Sequence, residues 1–378
     1  MKSKISNPFV TTGYLGPEFF CDRKDETERI LRAIASGRNI TLISLRRMGK
    51  TGLLKHVKHK LEKSGNPVSV IYVDLLPTLN GNDLLNSVST SLLRIKTDEK
   101  NIIEKVLGTL GSLRPKLTID SLTGQPALEL VIDSPATVQS GFDKLLLLIS
   151  DIKRDIVFMF NEFQQISRYP EKNIEQMLRT VIQTYPEIPF IFSGSSRHML
   201  ENMFLSAGRP FYQSSELMYL DQINENDYRE FIKDHFIKAG RTITGEAIDG
   251  IFEWTRLHTY YVQYVCSLIY ESGDMKTDLP DLKKVFLRIL TDFEHQYISY
   301  RNLLPSHQFR LLSAIASENV VKNPTAGKFI ADYNLTSPSS VSTSLNALQD
   351  KEMIVRENGK WMVYDVFFSR WLEYNYSK

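Results

Sequence analysis

An apolar run that ends in a basic, glycine-containing turn occupies residues 40–54, which read Ile40-Thr41-Leu42-Ile43-Ser44-Leu45-Arg46-Arg47-Met48-Gly49-Lys50-Thr51-Gly52-Leu53-Leu54. The pattern predicts a buried strand, a tight turn and the start of a helix, which is the layout of a phosphate-binding loop. Gly49 lets backbone amides face a phosphate, Lys50 is a cation for the β- and γ-phosphates, and the Thr51 hydroxyl is a ligand for Mg²⁺. The candidate nucleotide-binding residues are therefore Ser44, Leu45, Arg46, Arg47, Met48, Gly49, Lys50, Thr51 and Gly52.

One position departs from the usual phosphate-binding loop. The first glycine of that pattern is replaced by Ser44, five residues before Gly49. Serine is small and can follow the turn as long as its φ angle stays negative. An ordinary strand–turn–helix that happens to contain Gly-Lys-Thr is the alternative interpretation of this stretch taken alone.

A second apolar run, Ile156 to Phe160, ends in the polar pair Asn161-Glu162. A P-loop ATPase needs one carboxylate toward the Mg²⁺ ion and a second group that orients the attacking water. Glu162 can orient the water, whereas Asn161 stands at the metal-side position and brings no charge. We therefore expect weak Mg²⁺ dependence or slow turnover.

Two further apolar runs indicate more strands. Val68 to Asp74 ends in a carboxylate, and Phe190 to Phe192 runs into Ser193-Gly194-Ser195, where either serine could sense a γ-phosphate. Buried strands that alternate with helices predict a parallel α/β sheet with its ligand at the carboxyl ends of the strands. Asp74 is expected at that same edge.

The bulk composition sets broad limits on the class of protein. The chain has 378 residues, enough for two or three domains, with 42% hydrophobic and 24% charged residues and a net charge of +2. Two cysteines, Cys21 and Cys266, exclude a disulfide framework and a cysteine zinc site. No apolar run approaches the roughly 20 residues that span a bilayer. We expect a cytoplasmic protein without a membrane partner.

The chain divides into three predicted domains. Residues 1–220 form an ATPase core with a hairpin insertion at about 113–133, residues 221–303 form a helical lid, and residues 304–378 form a winged helix. Helical periodicity predicts one continuous helical stretch over residues 82–107 and another over residues 279–298. Motion of the lid would report the nucleotide state.

The predicted winged helix offers a polar but weakly charged face. Ser337 caps its third helix with Pro338 at the first position, and residues 354–363 form two short strands around an Asn-Gly turn. The face of that helix carries Ser339, Ser340, Ser342, Thr343, Ser344 and Asn346, with no Lys or Arg before Lys351. Non-specific DNA affinity depends on cations, so DNA contact and protein docking both remain open.

Five groups of residues, taken in order, resemble the archaeal-type AAA+ ATPases allied to the STAND signalling ATPases. The groups are Asp22-Arg23, Arg46-Arg47-Met48-Gly49-Lys50-Thr51, Asn161-Glu162-Phe163-Gln164, Ser193-Gly194-Ser195 and Gly208-Arg209-Pro210-Phe211. The phosphate loop of that family typically reads Gly-Pro-Arg-Arg-x-Gly-Lys-Thr, and its acidic strand ends in Asp-Glu-Phe-Gln. The resemblance implies an α/β P-loop NTPase core of AAA+ type that uses ATP and Mg²⁺, followed by the lid and the winged helix.

The resemblance also implies roles for two residues outside the loop. Residues 255–263 are similar to the family's lid segment Thr-Gly-Gly-His-Pro-Tyr-Tyr-x-Gln, which would bring His258 to the nucleotide. Arg209 matches a Gly-Arg pair that could sense charge within a subunit or between subunits of a homo-oligomer. A structural histidine and a surface salt bridge are the respective alternatives.

These observations predict an ATP-binding AAA+ or STAND-like ATPase in which nucleotide state controls a winged-helix module. ATP hydrolysis would be slow because Asn161 replaces the usual aspartate. One alternative is a nucleotide-dependent switch that barely hydrolyses ATP. Another is a DNA-binding regulator with a degenerate ATPase site.

Overall fold

The computed structural model describes residues 7–66, 68–95, 102–119, 124–130, 135–152 and 155–377. It divides into two compact units, one formed by Thr12–Ile223 and the other by Met1–Thr11 together with Asn224–Lys378. We refer to them as the sheet unit and the helical unit. Among the residues so described, no helix combines the length and apolar character needed to cross a membrane.

The sheet unit is built on parallel strands. Its strands are β1 Ile40–Ile43, β2 Ser69–Asp74, β3 Lys116–Ile119, β4 Pro126–Glu129, β5 Ile156–Asn161, β6 Phe190–Gly194 and β7 Glu216–Tyr219. Five of them form one sheet in the order β2-β5-β6-β1-β7, and every neighbouring pair in it is parallel. Each residue of β1, β5 and β6 is buried, as expected for central strands covered on both faces.

Helices cover the two faces of this sheet. They are α1 Lys24–Ala35, α2 Lys50–Glu62, α3 Gly81–Leu93, α4 Ile102–Thr109, α5 Pro135–Ser150, α6 Ile174–Thr184 and α7 Arg197–Leu205. On one face, α1 and α2 bury Ile30, Leu53 and Leu54 against β1. The other face carries a larger apolar cluster from α3, α5, α6 and α7 that includes the ring pair Phe158 and Phe190, whose centroids are 5.1 Å apart. These two layers fix the sheet whose carboxyl edge bears the candidate site.

The sequence-based expectations for this unit differ from the structure at three places. The helical stretch predicted over residues 82–107 is two helices in the described residues, because α3 ends at Leu93 with Arg94 as its C-cap. Helix α7 and strand β7 were not predicted; β7 is an edge strand with only Met218 buried, so its hydrophobic pattern is weak. The hairpin forms with Ile119 opposite Pro126. Its predicted residues 120–123 and 131–133 lie outside the described part of the chain.

The helical unit begins with α8 Glu225–Lys238, α9 Gly245–Thr255, α10 Thr259–Ser272, α11 Leu279–Asp292 and α12 Glu294–Leu303, and contains the two-residue strands β8 Thr242–Ile243 and β9 Lys276–Thr277. The helix predicted over residues 279–298 is therefore divided at Phe293. The ring of Phe293 packs on Tyr264 and Tyr297, with centroid distances of 5.8 and 5.9 Å. From the N-terminal segment, Phe9 packs in this unit on Phe236 and Tyr270.

The end of the chain has the predicted winged-helix elements. They are α13 Ser306–Ser317, α14 Gly327–Asp332, α15 Pro338–Asp350, β10 Ile354–Glu357, β11 Lys360–Val363 and α16 Val366–Tyr376. The Ser337 side chain accepts a hydrogen bond from the Ser340 amide at the start of α15. Asn358 and Gly359 join the wing strands with φ angles of 49° and 78°, which suits a two-residue hairpin turn. Ser344 is 2% exposed and not on the open face, because it lies three residues after the buried Val341.

Two arginines join the end of α9 to the winged helix within the helical unit. The Arg256 guanidinium donates to the Val363 carbonyl at 3.2 Å, to Asn319 Oδ1 at 3.0 Å and to Ser369 Oγ at 2.8 Å. Arg370 donates in the opposite direction to the carbonyls of residues 253 and 254, and at 3.2 Å to the same Asn319 Oδ1. Burial lowers the pKa of Arg256 to about 10, so its charge persists at neutral pH.

Replacing Arg256 by alanine is expected to lower the free energy of unfolding by about 3 kcal/mol, because three hydrogen bonds to a buried charge are lost. All three tryptophans, Trp254, Trp361 and Trp371, lie in the helical unit, so urea denaturation followed by their fluorescence reports on it. Arg288→Ala is the matched control, since the Arg288 side chain is 61% exposed and forms an i,i+4 ion pair with the exposed Asp292. A loss no larger for Arg256→Ala than for Arg288→Ala would refute the structural role.

Candidate nucleotide-binding site

The loop between β1 and α2 has the backbone of a phosphate cradle. Gly49 is the N-cap of α2 with φ 91°, and as a glycine it contributes no side-chain cap hydrogen bond to that helix. A residue with a β-carbon is disfavoured at such a φ angle, which explains the glycine. Ser44 is buried and lies outside the positive-φ region, so it follows the turn as the sequence argument required. The start of α2 thus has a glycine in place of a capping side chain, and its backbone amides and helix dipole favour an anion.

The buried Arg23 forms a hydrogen bond with the backbone of the loop. Arg23 is 3% exposed, and its Nη2 donates to the Met48 carbonyl at 3.3 Å and to the Asp221 carbonyl at 2.6 Å. Its Nη1 pairs with Glu26 at 2.7 Å. From the sequence, Arg23 is one residue of a family resemblance and has no predicted role. Its contacts make it a positioning residue for the loop.

Lys50 and Glu162 meet at the carboxyl edge of the sheet. Lys50 is 6% exposed, and its Nζ lies 3.3 Å from Glu162 Oε1. The other carboxylate oxygen, Oε2, accepts hydrogen bonds from Gln164 Nε2 at 2.6 Å and from Ser195 Oγ at 2.8 Å. Glu162 itself has a φ angle of 56°, directly after β5. The two groups predicted from separate motifs are therefore in direct contact.

The electrostatics of this pair keep Glu162 ionised. Burial alone would raise the pKa of Glu162, but the charge of Lys50 and the hydrogen bonds from Gln164 and Ser195 outweigh it, so that the pKa lies below its usual range. Burial lowers the pKa of Lys50, and attraction to Glu162 offsets this effect only in part.

Asn161, Ser193 and Asp74 form a second polar group beside the pair. Asn161 is in register with Asp74 on the neighbouring strand, and its Nδ2 donates to Asp74 Oδ1 at 3.3 Å. The Asn161 Oδ1 accepts from Ser193 Oγ at 3.1 Å. Ser193 is fully buried, whereas Ser195 contacts Glu162 and accepts from Arg46 Nε at 3.5 Å. Of the two serines considered as phosphate sensors, Ser195 is therefore the one beside Lys50 and Glu162.

Two predicted site residues have other surroundings. Arg209 forms an ion pair with Glu175 of α6, and it makes no hydrogen bond or ion pair with the loop in the described part of the chain. His258 belongs to the helical unit, where it is the N-cap residue of α10 and its ring lies 4.9 Å from that of Tyr261. The salt-bridge interpretation of Arg209 thus matches its contacts.

Gln164 is a site residue whose role the sequence did not reveal. Its Oε1 is buried and finds no hydrogen-bond partner among the residues that the structure describes, while its Nε2 donates to Glu162. A β-carbon on Gly194 would come within 1.9 Å of the same oxygen, so only glycine allows this approach. The Phe163-Gln164 pair after Glu162 was the sequence feature that pointed to Gln164. The spacing of this pair alone does not indicate the hydrogen bond from Gln164 to Glu162.

The donor set fits a triphosphate with Mg²⁺. Lys50, the exposed Arg46 and the amides of the loop suit phosphate oxygens, and Thr51 and Asp74 bring the oxygen ligands that Mg²⁺ prefers. In the described ranges no group of three or more His, Cys, Asp or Glu side chains could hold a metal ion by itself.

The sheet order, the loop after β1 and the C-terminal winged helix together define the fold of a P-loop ATPase of AAA+ type with a winged-helix module. A family model described as a probable winged helix domain matches residues 295–374. The Walker-type ATPase PaBY2304 of Pyrococcus abyssi aligns with a TM-score of 0.66 at 17% identity, over 97% of this chain and 99% of that one. This chain therefore has the fold of the archaeal Walker-type ATPases, which confirms the predicted fold class.

Two further solved structures share the fold. The ORC2 protein of Aeropyrum pernix, in ADPNP–ADP complexes, aligns with a TM-score of 0.56 at 15% identity, over 97% of this chain and 95% of that one. The ORC1 protein of Aeropyrum pernix, in complex with DNA, aligns with a TM-score of 0.50 at 12% identity, over 95% and 94%. Identities this low show a common fold. A comparison with curated protein sequences finds no significant match.

Proposed function

We propose that this protein binds ATP with Mg²⁺ at residues 44–52, hydrolyses it slowly, and uses the nucleotide state to control its winged-helix module. The observation that carries the proposal is the contact between Lys50 and Glu162, 3.3 Å apart at the carboxyl edge of a parallel sheet. Ligands of open α/β sheets bind at this edge. A cation beside the amides of a helix N-terminus recognises phosphate, and a carboxylate beside them can orient water.

The same contact suggests how binding and hydrolysis are linked. Entry of a triphosphate draws Lys50 onto the β- and γ-phosphates, because these carry more charge than one carboxylate. Glu162 then loses its cation and keeps its hydrogen bonds from Gln164 and Ser195. In that state its free oxygen can accept a hydrogen bond from the attacking water. Mg²⁺ bound with the nucleotide would neutralise charge on the phosphates during transfer.

The rival function is a switch that binds ATP and barely hydrolyses it. Two observations favour it. Asn161 is neutral at the position next to the metal, and the Glu162 carboxylate is engaged by Lys50, Gln164 and Ser195. If the Lys50 contact persists with nucleotide bound, both carboxylate oxygens stay engaged and the carboxylate is poorly placed for water.

Affinity and turnover measured on one preparation separate the two functions. Calorimetric titration with ATP and Mg²⁺ gives the dissociation constant, and phosphate release under single-turnover conditions gives the hydrolysis rate. The proposal predicts micromolar binding and slow but saturable phosphate release. Binding without release beyond the uncatalysed background supports the switch, and no binding at all contradicts both.

DNA is a possible partner of the winged helix, and the fold shared with an ORC1 protein solved with DNA gives the hypothesis a basis. The open face of α15 presents Ser339, Ser342, Thr343 and Asn346, and the exposed wing adds Arg356 and Lys360. With so few cations we expect weak binding that falls only about tenfold between 50 and 200 mM salt, because the salt dependence scales with the number of phosphates neutralised. Gel-shift titrations with random DNA at 50 and 200 mM salt, with and without ATP, would test this; unchanged affinity in the higher salt contradicts it.

A further inference from the structure

Asp74 is an exposed carboxylate at the same sheet edge, and Asn161 holds it in place. Its Oδ1 accepts from Asn161 Nδ2 at 3.3 Å and from the Leu76 amide at 3.2 Å. Both contacts fall on one oxygen, and nothing in the described ranges donates to Oδ2. The residue is therefore oriented by its neighbours while one oxygen stays available to a ligand.

The orientation of Asn161 determines whether Asn161 or Asp74 can be a metal ligand at this edge of the sheet. Its amide nitrogen faces Asp74 and its oxygen accepts from the buried Ser193. The ATPases that this chain resembles have an aspartate at this strand end. Here the position holds the Asn161 amide, whose nitrogen and oxygen are both engaged in hydrogen bonds. A carboxylate is present instead on the neighbouring strand β2, where Asp74 is directly in register with Asn161.

The charge of Asp74 also acts on Lys50 of the Lys50–Glu162 pair. Its charge raises the pKa of Lys50 against the larger opposing effect of burial, and together with burial and Glu162 it raises the pKa of Tyr72. Three charged groups therefore share this edge: the ammonium of Lys50 and the carboxylates of Asp74 and Glu162. A cation with oxygen preference is the ligand that two carboxylates beside a triphosphate would favour.

We propose that Asp74 supplies the carboxylate for the Mg²⁺ that accompanies ATP, and that Asn161 acts as the positioning residue that orients it. This inference rests on the proposed ATP binding and goes beyond it by moving the metal-side charge from β5 to β2. Mg²⁺ in nucleotide sites commonly takes one or two carboxylates together with phosphate oxygens and water. Thr51 is the hydroxyl ligand from the loop.

The test measures binding of a fluorescent ATP analogue with Mg²⁺ and again with EDTA, so that it does not depend on turnover. For the wild type we expect tighter binding with Mg²⁺. Asp74→Asn should lose at least about tenfold of the Mg²⁺-dependent affinity while its affinity in EDTA is unchanged. Adding Asn161→Asp to Asp74→Asn should restore the Mg²⁺ effect, because a carboxylate returns to the neighbouring position.

Asp155→Asn is the matched control, since Asp155 is an exposed aspartate just before β5, at the other end of the sheet. Mn²⁺ electron paramagnetic resonance gives a direct second measurement, with more free Mn²⁺ expected for Asp74→Asn than for wild type in the presence of ATP. An Mg²⁺ effect as large in Asp74→Asn as in the wild type overturns the inference and leaves ATP binding standing. A wild type that binds the analogue under neither condition overturns the proposed function, and the role of Asp74 with it.

Discussion

Lys50→Ala is expected to weaken ATP binding by about 100-fold or more. A charge-assisted hydrogen bond to phosphate contributes up to about 3 kcal/mol, which corresponds to a factor of about 100 in the dissociation constant. The substitution also leaves Glu162 without its cation, 3.3 Å away in the wild type, so that the carboxylate faces the incoming phosphates unopposed. Both effects act in the same direction.

Calorimetric titration with ATP checks this result, and Lys60→Ala is the matched control. Lys60 is an exposed lysine of the same helix α2, so its loss changes the net charge equally without touching the loop. Thermal melting of both variants shows whether the fold is intact. A folded Lys50→Ala protein that binds ATP as tightly as Lys60→Ala would contradict the assignment of the loop.

Glu162→Gln should leave ATP binding intact and lower the rate of hydrolysis by at least about 100-fold. A positioned general base typically contributes factors of about 10² to 10⁴. Glutamine keeps the size of the side chain but removes the negative charge that accepts from Gln164 and Ser195. Because Lys50 loses its partner carboxylate, ATP affinity should stay equal or rise.

Single-turnover phosphate release, with binding measured alongside it, tests this second prediction. Glu187→Gln is the control, an exposed glutamate just before β6 at the opposite edge of the sheet. Hydrolysis by Glu162→Gln at the rate of Glu187→Gln would remove Glu162 from the mechanism. Loss of ATP binding together with hydrolysis would instead make Glu162 a part of the binding site.

The central strands and the wing could be predicted from sequence because their signals are local. β1, β5 and β6 are uninterrupted apolar runs that are buried on both faces, and the Asn-Gly pair of the wing demands the positive φ angles it shows. Strand β7 lacks such a signal, since only Met218 of its four residues is buried. The division at Phe293 was also not predicted, because the helical pattern continues through it and two of its ring contacts, Tyr264 and Phe367, are distant in the sequence.

The site could be predicted as a set of motifs but not as a set of contacts. The phosphate-binding loop and the strand that ends at Asn161 predicted Lys50 and Glu162 as site residues. In a parallel sheet, both are expected at the edge formed by the carboxyl ends of the strands. Sequence could not tell that Ser193 is buried against Asn161 or that Arg209 pairs with Glu175, since both depend on which elements pack together. The same holds for Asp74, whose importance comes from its register with Asn161.

The central claim is that the amides around Gly49 hold the phosphates of ATP. A crystal structure of the full chain grown with a non-hydrolysable ATP analogue and Mg²⁺ tests it most directly. We predict density for phosphates against the amides of residues 48–51, with the Lys50 ammonium on a phosphate oxygen and no longer on Glu162. Lys50 still paired with Glu162, in a crystal whose nucleotide is bound elsewhere or not at all, would contradict the account.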